Sequence, residues 1–238
     1  MPSDIPPITF GNFFHIYNRG NNGENIFVQE RNYAYFMELW WKHTYQVFET
    51  WAFCLLRNHF HVAGFFKNKE ELAGLKLKDP SQYFSNFFNA YSRGVNIATE
   101  RTGALFERPF KRIPVDSEAY LMRLIVYIHQ NPQKHKFENN FRDWNYSSYH
   151  ELIGSVPTRL QQDKVLQLFG SRKISSEFIK RFSHWMILKM KSKRPDRFSR
   201  SLTRLESLPA RGVCWTRVTL KPVRSGLGES LRGQTGTV

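Results

Sequence analysis

Thr50-Trp51-Ala52-Phe53-Cys54-Leu55-Leu56-Arg57-Asn58-His59-Phe60-His61-Val62-Ala63-Gly64-Phe65-Phe66 reads as two apolar runs with two residues between them. Thr50 to Leu56 and His59 to Phe66 have the aromatic and aliphatic character of strands, and the Arg57-Asn58 spacer predicts a tight hairpin. Alternation in the second run sends His59 and His61 to one face and Phe60 and Val62 to the other. Two imidazoles about 7 Å apart on one face of a strand can converge on a single ion. A His-x-His pair also occurs as ordinary strand sequence, so the pattern alone leaves both readings open.

Working outward, Phe13 to Tyr17 is a short strand-like run closed by the turn-rich Asn18-Arg19-Gly20-Asn21-Asn22-Gly23. Glu30 to Val47 carries apolar residues at helical spacing with no Gly or Pro, which predicts a helix. A second helix is predicted from Ser81 to Glu100, with Phe84, Phe87, Phe88 and Tyr91 on one stripe. Ala104 to Val115 reads as another strand or hairpin arm. Asp116-Ser117 then opens a helix through Leu121, Leu124, Ile125 and Ile128 that should end near Pro132, because proline disfavours helix in the residue before it. The expected fold class is therefore α+β: a ferredoxin-like split β-α-β-β-α-β antiparallel sheet with helices on one face and an added helix. Trp144 to Tyr149 reads as an aromatic-rich loop, followed by helices at Thr158–Phe169 and Ser175–Lys191. The organisation expected is a domain over residues 1–150, a helical extension over 151–191 and a basic, disordered tail over 192–238.

Charge divides the same way. Residues 1–150 hold 17 Lys/Arg and 14 Asp/Glu, whereas residues 151–238 hold 18 and 6, so most of the net +15 lies in the second part. Such a basic segment implies salt-sensitive attraction to phosphate, or simply a solubilising tail. No run of about 18 apolar residues is present, so no membrane span is expected. Met1 to Phe10 lacks the basic start of a signal peptide, and Cys54 and Cys214 form no metal-type spacing. A cytoplasmic protein is expected.

Tyr127 and Asn131, four apart on the helix before Pro132, share one face. If that helix packs on the sheet, Asn131 can add an oxygen donor to His59 and His61, with Tyr127 beside the ion. The other reading makes Tyr127 a half-buried core residue and Asn131 a helix cap.

The segments Asn18-Arg19-Gly20, Cys54 to His61 and Tyr127-Ile128-His129-Gln130-Asn131-Pro132 together resemble the single-tyrosine transposases. They are most similar to the branch called REP-associated tyrosine transposases, whose tryptophan/serine-serine-tyrosine signature Trp144 to Tyr149 also resembles. The resemblance spans roughly residues 10–170 and implies an HUH endonuclease fold (named for histidine, hydrophobic residue, histidine). It further implies His59 and His61 as metal ligands, Asn131 as third ligand and Tyr127 as nucleophile. Two departures stand out: Arg57 where the family commonly has proline, and Gln133-Lys134-His135-Lys136 where it has an aliphatic and small residues.

That donor set suits Mg2+ or Mn2+. The implied reaction is cleavage and rejoining of single-stranded or hairpin DNA in a bacterial cell through a 5′-phosphotyrosine link, by a monomer or homodimer. Arg19, Lys111, Arg112 and the basic run after Arg172 are candidate DNA contacts. Three alternatives remain in view: a catalytically inactive, transposase-derived hairpin-binding protein, a replication-initiator or relaxase nuclease, and a zinc hydrolase. The retained His59, His61, Tyr127 and Asn131 weigh against the first, the short chain against the second, and the lack of a further His or Asp at close spacing against the third.

Overall fold

The computed structural model describes residues 6–170; the expected helix at Ser175–Lys191 and the basic segment 192–238 lie outside the described residues. Strands β1 (Phe13–Arg19), β2 (Phe48–Leu56), β3 (His59–Phe66) and β4 (Lys111–Val115) form an antiparallel sheet in the order β2-β3-β1-β4. Helices α1 (Arg31–Thr44) and α2 (Pro80–Ala98) follow β1 and β3, which completes the split β-α-β-β-α-β unit. No described helix is long and apolar enough to cross a membrane.

Side-chain alternation explains the layers. Phe60 and Val62 of β3 and Phe14 and Ile16 of β1 are buried on the face that α1 and α2 cover. The core there is largely aromatic: Phe36 meets Phe87 at 4.8 Å between ring centroids, Trp40 meets Phe84 at 5.3 Å, and Phe88 meets Phe106 at 5.0 Å. Tilted and edge-to-face pairs of this kind stabilise by about 0.5–1.5 kcal/mol each beyond the area they bury. The one polar atom of Trp40 is satisfied, since its Nε1 donates to Thr50 Oγ1 at 3.0 Å. The opposite face, carrying His15, Tyr17, His59 and His61, is covered by α3 (Glu118–Lys134). Helices therefore lie on both faces, and the added helix takes the one the split unit leaves open.

α3 ends near Pro132 as expected, but it runs through the proline to Lys134. Proline lacks only an N–H, and near a helix C-terminus the group that matters is its carbonyl. Pro132 O accepts from Phe137 N at 2.8 Å and Gln133 O from Lys136 N at 3.2 Å, the paired closure of a Schellman motif. The Ile128 carbonyl, which the proline nitrogen cannot serve, receives the Asn131 amide at 3.5 Å. The motif places Lys136 at φ 59, a left-handed conformation that favours glycine.

Other boundaries shift for local reasons. β4 covers only the end of the expected Ala104–Val115 arm, because Phe106 bridges Gly20, Glu107 N donates to Arg19 O, and Pro109 then interrupts the donors. α1 is shorter than Glu30–Val47 at both ends, with Asn32 Oδ1 accepting from Val28 N and Gln29 N just before it. The last described helix, α5 (Gln162–Leu168), starts later than Thr158 because Gln161 N donates to Thr50 O at 3.1 Å.

The Trp144 to Tyr149 segment runs along the outer edge of β2 and leads into the short helix α4 (Tyr149–Ile153). Leu55 N donates to Tyr146 O, Ser148 N to Phe53 O, and Phe53 N to Ser148 Oγ at 2.8 Å, while Trp144 Nε1 donates to Leu55 O. Ser148 Oγ also lies 2.8 Å from His129 Nε2, which ties α3 to the same edge.

Two stability predictions follow from these local arrangements. Lys136→Gly should raise the free energy of unfolding by about 1 kcal/mol in a urea titration, because it relieves the left-handed lysine. Ser148→Ala should lower it by about 1–3 kcal/mol, since Phe53 N–H would be left buried without an acceptor.

Candidate functional site

Register builds the site before any chemistry is considered. His61 stands across from Tyr17 on β1 and Cys54 on β2, while His59 stands across from Arg19 and Leu56. Lys111 on β4 pairs with Tyr17, so it shares the histidine face. α3 lays Tyr127 over this face, with ring centroids 5.5 Å from His61 and 6.4 Å from His15. Tyr127 is largely buried, and Lys134 Nζ lies 4.5 Å over its ring. Asn131, one turn along from Tyr127, is fully buried on the same helix.

Hydrogen bonds hold both histidines from behind. Asn58 Oδ1 lies 2.7 Å from His59 Nδ1, and His15 Nε2 lies 3.0 Å from His61 Nδ1. With Nδ1 held in each ring, Nε2 is the atom suited to ligation. Burial keeps the imidazoles neutral. It lowers His59 to about 3, with like charge on His135 and Arg19 adding to the shift. It holds His61 well below the ordinary range, helped by His15, His59, His135 and Lys134. Neutral imidazole is the form that binds metal.

Whether these residues suit a cation rests on Asn131. Its Oδ1 is buried and accepts no hydrogen bond. An unmet buried carbonyl costs about 1–3 kcal/mol, a cost that coordination would remove. Among the described residues no three His, Cys, Asp or Glu side chains are grouped to hold a metal. The donor set that fits is thus two imidazoles and one amide oxygen, with Tyr127 adjacent.

The structure brings together four of the residues singled out in the sequence, namely His59, His61, Tyr127 and Asn131. Arg19 reaches the edge of this group but is ion-paired with Glu107. Arg112 does not join it: paired with Ile16, it lies on the other face, where its Nε donates to Pro6 O at 2.8 Å and its guanidinium sits 5.0 Å over Phe110. Asn18-Arg19-Gly20 acts on the backbone, with Asn18 Nδ2 donating to Glu107 O, and Gly20 N to Asn58 O behind the hairpin turn. A Cβ on Gly20 would come within 1.9 Å of Glu24 O, so only glycine fits there.

Sequence reading missed His15, Lys134 and His135. His135 follows the last turn of α3, 4.8 Å from His59 between ring centroids. The one available signal for His15 is its alternation with Tyr17; β1 pairs it with Ala63, on the same face as His61 and diagonal to it.

An antiparallel split sheet with His-hydrophobic-His on an inner strand and a tyrosine on a helix packed over it is the architecture of the HUH single-tyrosine enzymes. Comparison with known proteins narrows the class. No family model matches the chain. A Haemophilus influenzae protein that carries the provisional name REP-associated tyrosine transposase is 26% identical over 108 residues, 44% of this chain. The match spans 61% of that relative's length. A solved REP-associated tyrosine transposase bound to a REP hairpin superposes with a TM-score of 0.51 at 17% identity, over 64% of this chain and 86% of the other. The relative in sequence and the neighbour in fold thus carry the same family name, REP-associated tyrosine transposase, that the motifs resemble.

Burial of neutral histidines makes stability depend on pH. His15 and His129 are both lowered to about 3, in each case chiefly by burial. Unfolded histidine titrates near 6.5. Below that value the unfolded chain takes up protons that the folded chain refuses, so stability is full above about pH 6.5 and falls as pH drops towards 3. Near pH 5 the loss should be about 2 kcal/mol per histidine. Urea unfolding at pH 7.5 and pH 5 checks this, and His129→Gln should flatten the difference.

Proposed function

We propose that this chain is a metal-dependent DNA strand transferase that cuts single-stranded DNA near hairpins and rejoins it, with Tyr127 as nucleophile. One observation carries the reading: the Tyr127 ring packs 5.5 Å from His61, one helical turn from an Asn131 oxygen that is buried and accepts no hydrogen bond. A purely structural tyrosine and asparagine would leave that oxygen unexplained. The family supported above, and the solved relative bound to a REP hairpin, lend further support.

Mg2+ or Mn2+ held by His59, His61 and Asn131 would neutralise the scissile phosphate and stabilise the charge that develops on it. Tyr127 Oη forms the bond to phosphorus while the bond to the 3′ oxygen breaks. The phenolic proton passes to solvent, the 3′ oxygen leaves as a hydroxyl, and the DNA 5′ end stays on the tyrosine. Attack by another 3′-OH reverses these steps, and because the phosphotyrosine link conserves the phosphodiester's energy, no nucleotide cofactor is needed. Packing against His61, His15 and Lys134 holds the Tyr127 ring in one orientation, so the phosphate has to be brought to it. A flexible single strand does this more readily than a duplex.

Arg19 and Lys111 share the histidine face and are the described residues proposed to contact phosphate, a role that positions DNA without reading its bases. Arg112 is assigned to the fold instead. The substrate proposed is a DNA hairpin with flanking single strand, met in the bacterial cytoplasm.

Incubation with labelled hairpin oligonucleotides and Mg2+ or Mn2+ should yield an SDS-resistant protein–DNA adduct. Tyr127→Phe should abolish the adduct while hairpin binding persists, and His59→Ala, Asn131→Ala or a chelator should sharply reduce it. Hairpin binding by the unaltered chain with no adduct on any substrate would replace this reading with that of a non-catalytic hairpin-binding protein.

A further inference from the structure

We infer that His15 is the positioning residue for His61, holding its imidazole so that Nε2 is presented to the cation; the inference rests on the metal reading above. His15 is absent from the motifs and lies on the neighbouring strand β1, opposite Ala63. Its Nε2 nevertheless lies 3.0 Å from His61 Nδ1, in a contact from which both residues exclude water.

The surroundings leave His15 little freedom to turn. Tyr17 stacks on it at 4.8 Å with the ring planes 24° apart, His61 lies at 5.1 Å and 26°, and Tyr127 meets it nearly edge-on at 6.4 Å. For His61 to ligate through Nε2, its Nδ1 carries the proton and donates to His15 Nε2, so His15 bears its own proton on Nδ1. That Nδ1 is buried and makes no hydrogen bond. An apolar side chain would pack there without the unmet Nδ1 but would take from the buried His61 Nδ1 the acceptor it has, so the bond to His61, not packing, accounts for an imidazole here. The second ligand is held in a parallel way, by Asn58 at His59 Nδ1. Each ring thus has one nitrogen fixed by a neighbour and the other committed to the site.

The test is a Mn2+ titration of the full chain, followed by electron paramagnetic resonance of the unbound ion, with the melting temperature recorded for each variant. His15→Leu should stay folded, with at most a modest drop in melting temperature from the acceptor His61 Nδ1 loses, yet weaken Mn2+ binding about 10- to 100-fold. His15→Gln, whose amide oxygen reaches close to the position of Nε2, should recover most of the affinity. His15→Asn, too short to reach it, should not. His61→Ala is the reference for loss of the site. If His15→Leu or His15→Asn binds Mn2+ as tightly as the unaltered chain while His61→Ala does not, the role of His15 is overturned and the metal reading stands. Unchanged binding in His61→Ala as well would overturn both.

Discussion

The two sides of β3 cannot be exchanged. Slipping the strand by one residue against β1 or β2 would turn His59 and His61 into the aromatic layer under α1 and α2, and set Phe60 against Tyr127. Buried rings on one face therefore specify which residues the other face shows. Phe36, Trp40, Phe84 and Phe88 do not touch the candidate site, yet their packing against Phe60 and Phe66 keeps the histidines aligned beneath α3. Stability and site geometry are consequences of the same alternation.

That alternation is also why much of the molecule is legible in its sequence. The hairpin at residues 50–66, the strand before it and the helical stripe of Phe84, Phe87, Phe88 and Tyr91 follow from period-two and period-3.6 patterns. His59 with His61, and Tyr127 with Asn131, could each be paired by spacing alone. That the two pairs face one another depends on α3 crossing the sheet, which no local pattern encodes. His15 is farther still from legibility, because its neighbour is 46 positions away. That α3 carries two residues past Pro132 has a different origin. Proline limits the residue before it and removes one donor, but it leaves a carbonyl that a Schellman closure can use. Arg112 shows the limit of reading charge from sequence: one strand position separates it from Lys111, and that step carries it to the opposite face.

Burying several imidazoles together has a cost that the site turns to use. Desolvation keeps His15, His59 and His61 neutral, which weakens the fold in acid and makes the rings competent ligands near neutral pH. Asn131 Oδ1 and His15 Nδ1, both buried and without a hydrogen-bond partner, lie on this side of the sheet.

The strip from Trp144 to Ser148 has a bearing on assembly. Sheets commonly join two copies of a protein by extending edge to edge, each outermost strand offering its bare amides and carbonyls to the other. Here β2 is outermost, and along its exposed side the backbone groups of Phe53 and Leu55 are already taken by residues of the same chain. A continuous eight-stranded sheet across two β2 strands is therefore closed to this protein. Contact between copies along this edge would have to be made through side chains, not through shared strand backbone.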